Sequence, residues 1–190
     1  MPDLKPYHYP DVYRVLLAET EEHEMQILHE DGLYRHLRFQ KPGTGIYHWD
    51  IITWPGSLAI RGDIGEGFIF TRERDMLTWF DQNQAPGWIK PDYWAEKLDR
   101  GARNVRVFSR EKWAAWLRGD PQRYLPQSAE SEVDSVEEAV TVLDDFNIQW
   151  DYEDVESWKD FDFHFLLACH AILWGAKRYH AAKKGAGNAD

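Results

Sequence analysis

LYRHLRFQKPGTGIYHWDIITWPGSLAIRGDIGEGFIFTR, residues Leu33 to Arg72, carries antiparallel-sheet signals along its whole length. IYHWDIITW is dense in β-branched and aromatic residues, the composition of a strand. Pro55-Gly56 makes a tight turn, and SLAIRGD runs back. If that turn has two residues, Asp50 falls opposite Arg61, His48 opposite Asp63 and Ile52 opposite Ala59. Opposed residues share a face. The other face then carries Ile51 with Ile60, Thr53 with Leu58 and Trp49 with Gly62. One face is apolar and one polar, as an antiparallel sheet covered on one side requires. A bulge would break this register.

Outward from this block the pattern extends to about five strands over residues 25–72. MQILHEDGLYRHLRF reads as a hairpin about Asp31-Gly32. KPGTG (Lys41–Gly45) reads as a loop, and GDIGEG (Gly62–Gly67) as a flexible loop into FIFTR. Before the meander, residues 11–24 predict a short helix with Val12, Val15, Leu16 and Leu17 on its apolar face. After it, residues 75–118 predict helices, among them RDMLTWFDQ and DYWAEKLDR, with VRVF as a short edge strand between them and the next. Ser109 is placed to cap REKWAAWLRG. Residues 120–134, rich in Pro, Ser and acids, read as an acidic linker. Residues 135–183 read as helices again. Ser135 and Glu138 form a capping-box pattern, and an apolar stripe from Trp158 through Phe161, Phe165, Cys169, Ile172 and Ala176 to Tyr179 marks a last helix from Ser157 to about Lys183. Residues 184–190 read as a disordered tail. The expectation is one α+β domain, an antiparallel meander packed against helices.

Composition narrows the function. A chain of 190 residues with 15% aromatic content and ten Trp can bury a real core without metals or disulfides. Cys169 is the single cysteine, which excludes an intrachain disulfide and fits a reducing compartment. MPDLKPYHYP has no apolar core, so no signal peptide is expected. FLLACHAILWGA (Phe165–Ala176) is too short to span a bilayer, so no membrane association is expected. The net charge of −11 is uneven: Asp120 to Asp162 holds 14 acidic and two basic residues, the remainder 19 and 20. Direct nucleic-acid binding is disfavoured, because a phosphate backbone needs a concentrated basic surface.

The candidate sites are two. On the strands, His36, Arg38, His48, Asp50, Trp54, Arg61 and Asp63 form a polar set. It serves either as a solvated ladder of charge pairs or as a ligand pocket in which His48 with Asp63, or His36 with Asp50, handles a proton or grips an anion. In the acidic segment, Glu137, Glu138, Asp144, Asp145, Asp151, Glu153 and Asp154 form a surface for a partner, or an ordinary solvated helix face. The GDIGEG backbone can in principle cradle a phosphate, but it does not precede a helix, so a plain hairpin turn is the better reading. His164 and His170 are six apart, not the three or four that puts two metal ligands on one helix face, and Cys169 has no CxxC partner. No metal or cofactor is therefore expected. No GxSxG, HExxH, Walker A or paired-carboxylate pattern points to catalysis.

GLYRHLRF (Gly32–Phe39), ITWPGSLAIRGDIG (Ile52–Gly65), Phe68-x-Phe70, Asp75-Met76 with Phe80, YWAEKL (Tyr93–Leu98) and HAILWGAKRY (His170–Tyr179) together resemble a family of small uncharacterised proteins encoded by bacteriophages and prophages. The resemblance covers most of the chain outside the acidic stretch. It carries over no catalytic role. It implies an accessory phage gene acting in the host bacterial cytoplasm. The function that follows is a stoichiometric binding protein whose partner is a host protein or complex, with an anti-CRISPR or other anti-defence role foremost. The acidic segment would imitate a row of phosphates in a basic groove. The alternative is a nucleotide or small-molecule binding protein or enzyme, with Trp49, Trp54, Phe68 and Phe70 stacking a base and Arg38 or Arg61 holding phosphate. A virion or assembly component ranks last. The oligomeric state is open, a homodimer included.

Overall fold

The computed structural model describes residues 4–82, 84–99, 101 and 105–186. After a 3₁₀ turn at Pro6–His8, the chain forms α1 (Pro10–Glu19), then β1 (Glu24–Asp31), β2 (Tyr34–Gln40), β3 (Trp49–Trp54), β4 (Ser57–Gly62) and β5 (Gly65–Thr71). Next come α2 (Met76–Asp81), α3 (Pro91–Ala95), β6 (Arg106–Phe108), α4 (Arg110–Arg118), α5 (Gln127–Ser131), α6 (Val136–Asp145), α7 (Tyr152–Ser157), β7 (Lys159–Phe161) and α8 (Phe163–Ala186). The fold class is α+β. It is built as two compact units where the sequence suggests one domain: Met1–Asn104 with Phe163–Asp190, and Val105–Asp162.

In the first unit β1 to β5 pair antiparallel in sequential order. The predicted register of β3 and β4 holds throughout: Asp50 opposes Arg61, Ile51 opposes Ile60, Ile52 opposes Ala59 and Trp49 opposes Gly62. Pro55 and Gly56 alone make the turn, and Gly56 at φ 90° supplies the left-handed conformation a proline-led type II turn needs at its second position. The core face carries Leu37, Phe39, Trp49, Ile51, Leu58, Ile60 and Phe70, all essentially without exposure. α8 packs on this unit and is buried continuously from Phe165 to Leu173. A helix apolar all round has to be covered on every side; α1, α2, α3, β1 and β5 supply that cover. Both sheet edges are managed. β1 is exposed along nearly its whole length but carries charges and a bulge at Leu28. β5 is capped by backbone bonds from Thr71 to Lys97 and from Asp99 to Ile69.

Several expected boundaries shift. α1 stops at Glu19 rather than 24, where Thr20 bonds the Leu16 carbonyl through its side chain. GDIGEG is not a flexible loop: Gly62 pairs with Gly65, leaving Asp63-Ile64 as a tight hairpin turn. α3 ends at Ala95, because Leu98 is drawn into a β-bridge with Phe70. The predicted last helix is three elements. α7 ends at Ser157, β7 pairs with β6, and α8 starts at Phe163 and continues through 184–186, which the sequence assigns to the tail. Residues 187–190 of that tail lie outside the described residues.

The second unit is closed at its stem by β6 and β7, with Arg106 opposite Phe161 and the Asp162 N–H donating to the Val105 carbonyl at 2.9 Å. Its core joins Trp113, Leu117, Leu125, Val133, Ala139, Leu143, Val155 and Trp158. Trp113 meets Trp158 edge to face at 4.9 Å and stacks on Trp116 at 5.6 Å, geometries that suit the ring quadrupole. Residues 120–134 are therefore not a linker. Leu125 and Val133, the apolar residues in a polar stretch, dock into this core around the short α5. Among the described residues no helix is long and apolar enough to cross a membrane.

Candidate functional site

Strand alternation puts His36 and Arg38 of β2 on one face with Asp50 of β3, and Arg38 is Asp50's direct neighbour in the register. Arg38 grips the carboxylate with both branches, Nε to Oδ1 at 2.7 Å and Nη2 to Oδ2 at 2.9 Å. His36 Nε2 lies 3.3 Å from Oδ2. Burial raises the Asp50 pKa, but the contacts from Arg38 and His36 outweigh it, and the carboxyl sits below its ordinary range. Asp50 is buried, at 4% exposure, beneath these two side chains. Arg61, opposite Asp50 on the other flank, is exposed. The charge partner of Asp50 is thus the β2 arginine and not Arg61. A carboxylate with both oxygens occupied is a structural tie, not a free base or metal ligand. Trp54 lies further along the same face, beside Tyr34, His29 and His36 in a shallow depression.

The second predicted pair forms at the end of the ladder. His48 Nδ1 donates to the Gly45 carbonyl at 2.8 Å and lies 3.3 Å from Asp63 Oδ2. Asp63 thereby leaves the sheet face and enters a different feature, a cavity of about 300 Å³. Val15, Leu16 and Glu19 of α1, Tyr47 in the turn before β3, Trp49 at its start, Asp63 and Ile64 of the hairpin turn, and Phe163, His164 and Leu167 of α8 line it. Tyr47 is held at φ 56°, unusual for a bulky residue. His23 Nε2 donates to its carbonyl at 3.0 Å, and the His23 ring stacks on Trp49. The Trp49 indole N–H is buried with no partner among the described residues. Four separate stretches of chain build this cavity, so no local motif announces it.

The acidic residues divide by what they already hold. Asp151 and Asp154 form the capping box of α7, and Asp154 also accepts the Trp116 indole N–H at 2.7 Å. Asp144 accepts the Trp150 indole at 3.0 Å. Ser135 caps α6 as predicted, but Glu138 reaches back to the Asp134 N–H, one residue beyond the expected partner. Glu137, Asp145 and Glu153 are exposed, and their side chains make no hydrogen bond or ion pair among the described residues. The unit as a whole carries 15 acidic and six basic residues, a net −9 of the chain's −11.

A third cluster has no counterpart in the sequence reading. Arg35 pairs through two bonds with Asp75, at 2.8 and 3.0 Å, and its guanidinium lies over the Tyr179 ring. The Tyr179 hydroxyl and Lys183 both donate to Glu30. Hydrogen bonds from Lys183 and then Tyr179 hold the Glu30 carboxyl below its ordinary pKa. Nearby, Lys177 and His180 both bind Asp81, at 2.6 and 2.8 Å. Every charge here has a partner, so the cluster fastens α8 to the sheet and to α2. His164 and His170 do not converge: His164 packs over Gly65, while His170 is buried and stacked on Tyr13 at 5.1 Å. Cys169 is buried, and burial pushes its thiol pKa well up, as for an inert core residue. Compared with known proteins, the chain matches no family model, no curated protein and no solved structure.

Proposed function

We propose that this protein is a phage-encoded accessory binding protein that inhibits a host system, a CRISPR-type or other defence system foremost, by stoichiometric occupation of a basic surface. The observation that carries this reading is the concentration of charge: a net −9 resides in the compact unit Val105–Asp162, while the rest of the chain is close to neutral. Charge of one sign on a small rigid body gives a field that steers a basic partner and penalises an acidic one. The resemblance of Gly32–Phe39, Ile52–Gly65 and the later motifs to phage proteins supplies the host context. The alternative, a nucleotide held on the polar sheet face, has less support, because Arg38 and His36 are already committed to Asp50.

The test is capture of a partner from host lysate by the full chain at low and high salt, alongside the variant Glu137→Gln, Asp145→Asn, Glu153→Gln. These three are chosen because Glu138, Asp144, Asp151 and Asp154 also hold the fold. A defined partner retained at low salt, released at high salt and lost by the variant supports the reading. Capture unchanged in the variant overturns it.

A further inference from the structure

We propose that the cavity between α1, Tyr47, the Asp63-Ile64 turn and α8 is a binding site for a small organic amine with an aromatic body. This is a site separate from the acidic unit and independent of the function proposed above. At about 300 Å³ it lies at the small end of ligand pockets. Its walls are apolar, from Leu16, Ile64 and Leu167, and its floor and rim bring three aromatic rings, Trp49, Tyr47 and Phe163. Two carboxylates, Glu19 and Asp63, complete it, and among the described residues no lysine or arginine lines it.

Each feature selects chemically. Two carboxylates with only histidines beside them, His48 on Asp63 and His164 in the wall, disfavour anions and attract an ammonium group. Among the described residues Glu19, exposed at the end of α1, has no side-chain partner, and the Asp63 carboxylate is engaged through one oxygen, by His48. Aromatic faces attract the same cation through their quadrupole and pack flat rings. Val15, Tyr47 and Phe163 are 42%, 44% and 45% exposed. A large apolar residue at each side of a cavity mouth is a surface that gains by being covered. The backbone of Tyr47 lies in the left-handed region and its carbonyl accepts a bond from His23, which fits the tendency of such conformations to gather at ligand sites.

The experiment is calorimetric titration and thermal melting of the full chain with three probes of one shape: tryptamine, indole and indole-3-acetate. Tryptamine in excess should raise the Tm by about 3 °C, and the other two should not. Glu19→Gln with Asp63→Asn should weaken tryptamine binding about ten-fold or more. Val15→Trp, which fills the mouth from an exposed position, should abolish it. In the folded wild type, the Trp49 indole N–H resonance should move on titration. No tryptamine response, a response equalled by indole or indole-3-acetate, or binding unchanged in both variants would each overturn the assignment.

Discussion

Arg35 is nine-tenths buried and points its guanidinium at both oxygens of Asp75, so the first unit is sensitive to a change at this one residue. Removing one member of a buried pair strands the other charge. Arg35→Met should cost about 3 kcal/mol in urea denaturation. Adding Asp75→Asn, which keeps an acceptor for the Thr78 N–H at the start of α2, should restore at least half of that loss. His170 is the second such residue. Burial lowers its pKa to about 4, partly offset by the backbone of Tyr9 and His8. The unfolded chain takes up a proton near pH 6.5 that the folded protein refuses until about pH 4. Stability from this group is therefore full above pH 6.5 and falls by about 3 kcal/mol on the way down to pH 4. His170→Phe should flatten the unfolding free energy across that window. The losses of Asp50, Asp75, Asp81 and Glu30, whose pKa values are lowered, belong to lower pH and should persist in the variant. The ion partners of such residues are hard to read from a sequence. Asp50 opposes Arg61 as the alternation predicts, yet an equally close neighbour on the other flank, Arg38, has the better geometry for both oxygens.

At the scale of elements, the β3–β4 hairpin is the part that was legible, because a two-residue turn and a period of two leave one register that buries Trp49, Ile51 and Ile60 together. Gly62 closes its far end at φ 128°, where a Cβ would meet the His48 carbonyl and lie 2.7 Å from Trp49 Cα. Gly62→Ala should cost about 3 kcal/mol through combined strain and backbone clash, seen as a lowered denaturation midpoint at unchanged slope. Gly175 of α8 tests the opposite instinct. Glycine to alanine inside a helix ordinarily gains about 1 kcal/mol. Here the new methyl would lie 2.8 Å from both Ile51 Cδ1 and Phe39 Cζ, side chains with no exposure, so the core must repack to admit it. Gly175→Ala should lower the Tm by several degrees rather than raise it. Helix ends were less legible than strands: α1 ends on a local side-chain bond from Thr20 to Leu16, while beyond Ala95 and Ser157 tertiary partners take over the backbone, at the Leu98 bridge to Phe70 and the bond from Ser109 to Trp158.

At the scale of the molecule, the acidic segment changes character most. Read along the chain it is a linker followed by helices, while in three dimensions it is the larger part of a self-closed unit, Val105–Asp162, whose ends meet in the β6–β7 stem. Adjacent ends make it removable. Replacing Val105–Asp162 by a short Gly-Ser linker should leave a protein of net charge −2 that still melts cooperatively, measured by circular dichroism, and that no longer captures a basic partner. The fold class, the meander with its central register, and the location of the charge are all legible along the chain. These follow from local periodicity, turn chemistry and composition, which act between near neighbours. Only the tertiary structure decided that Leu125 and Val133 turn a linker into a core, that Asp50 belongs to Arg38, and that Glu19, Tyr47, Asp63 and Phe163 surround one cavity. Those outcomes depend on contacts between residues tens of positions apart, which compete on distance and geometry once the chain has closed, and no local pattern encodes which competitor wins.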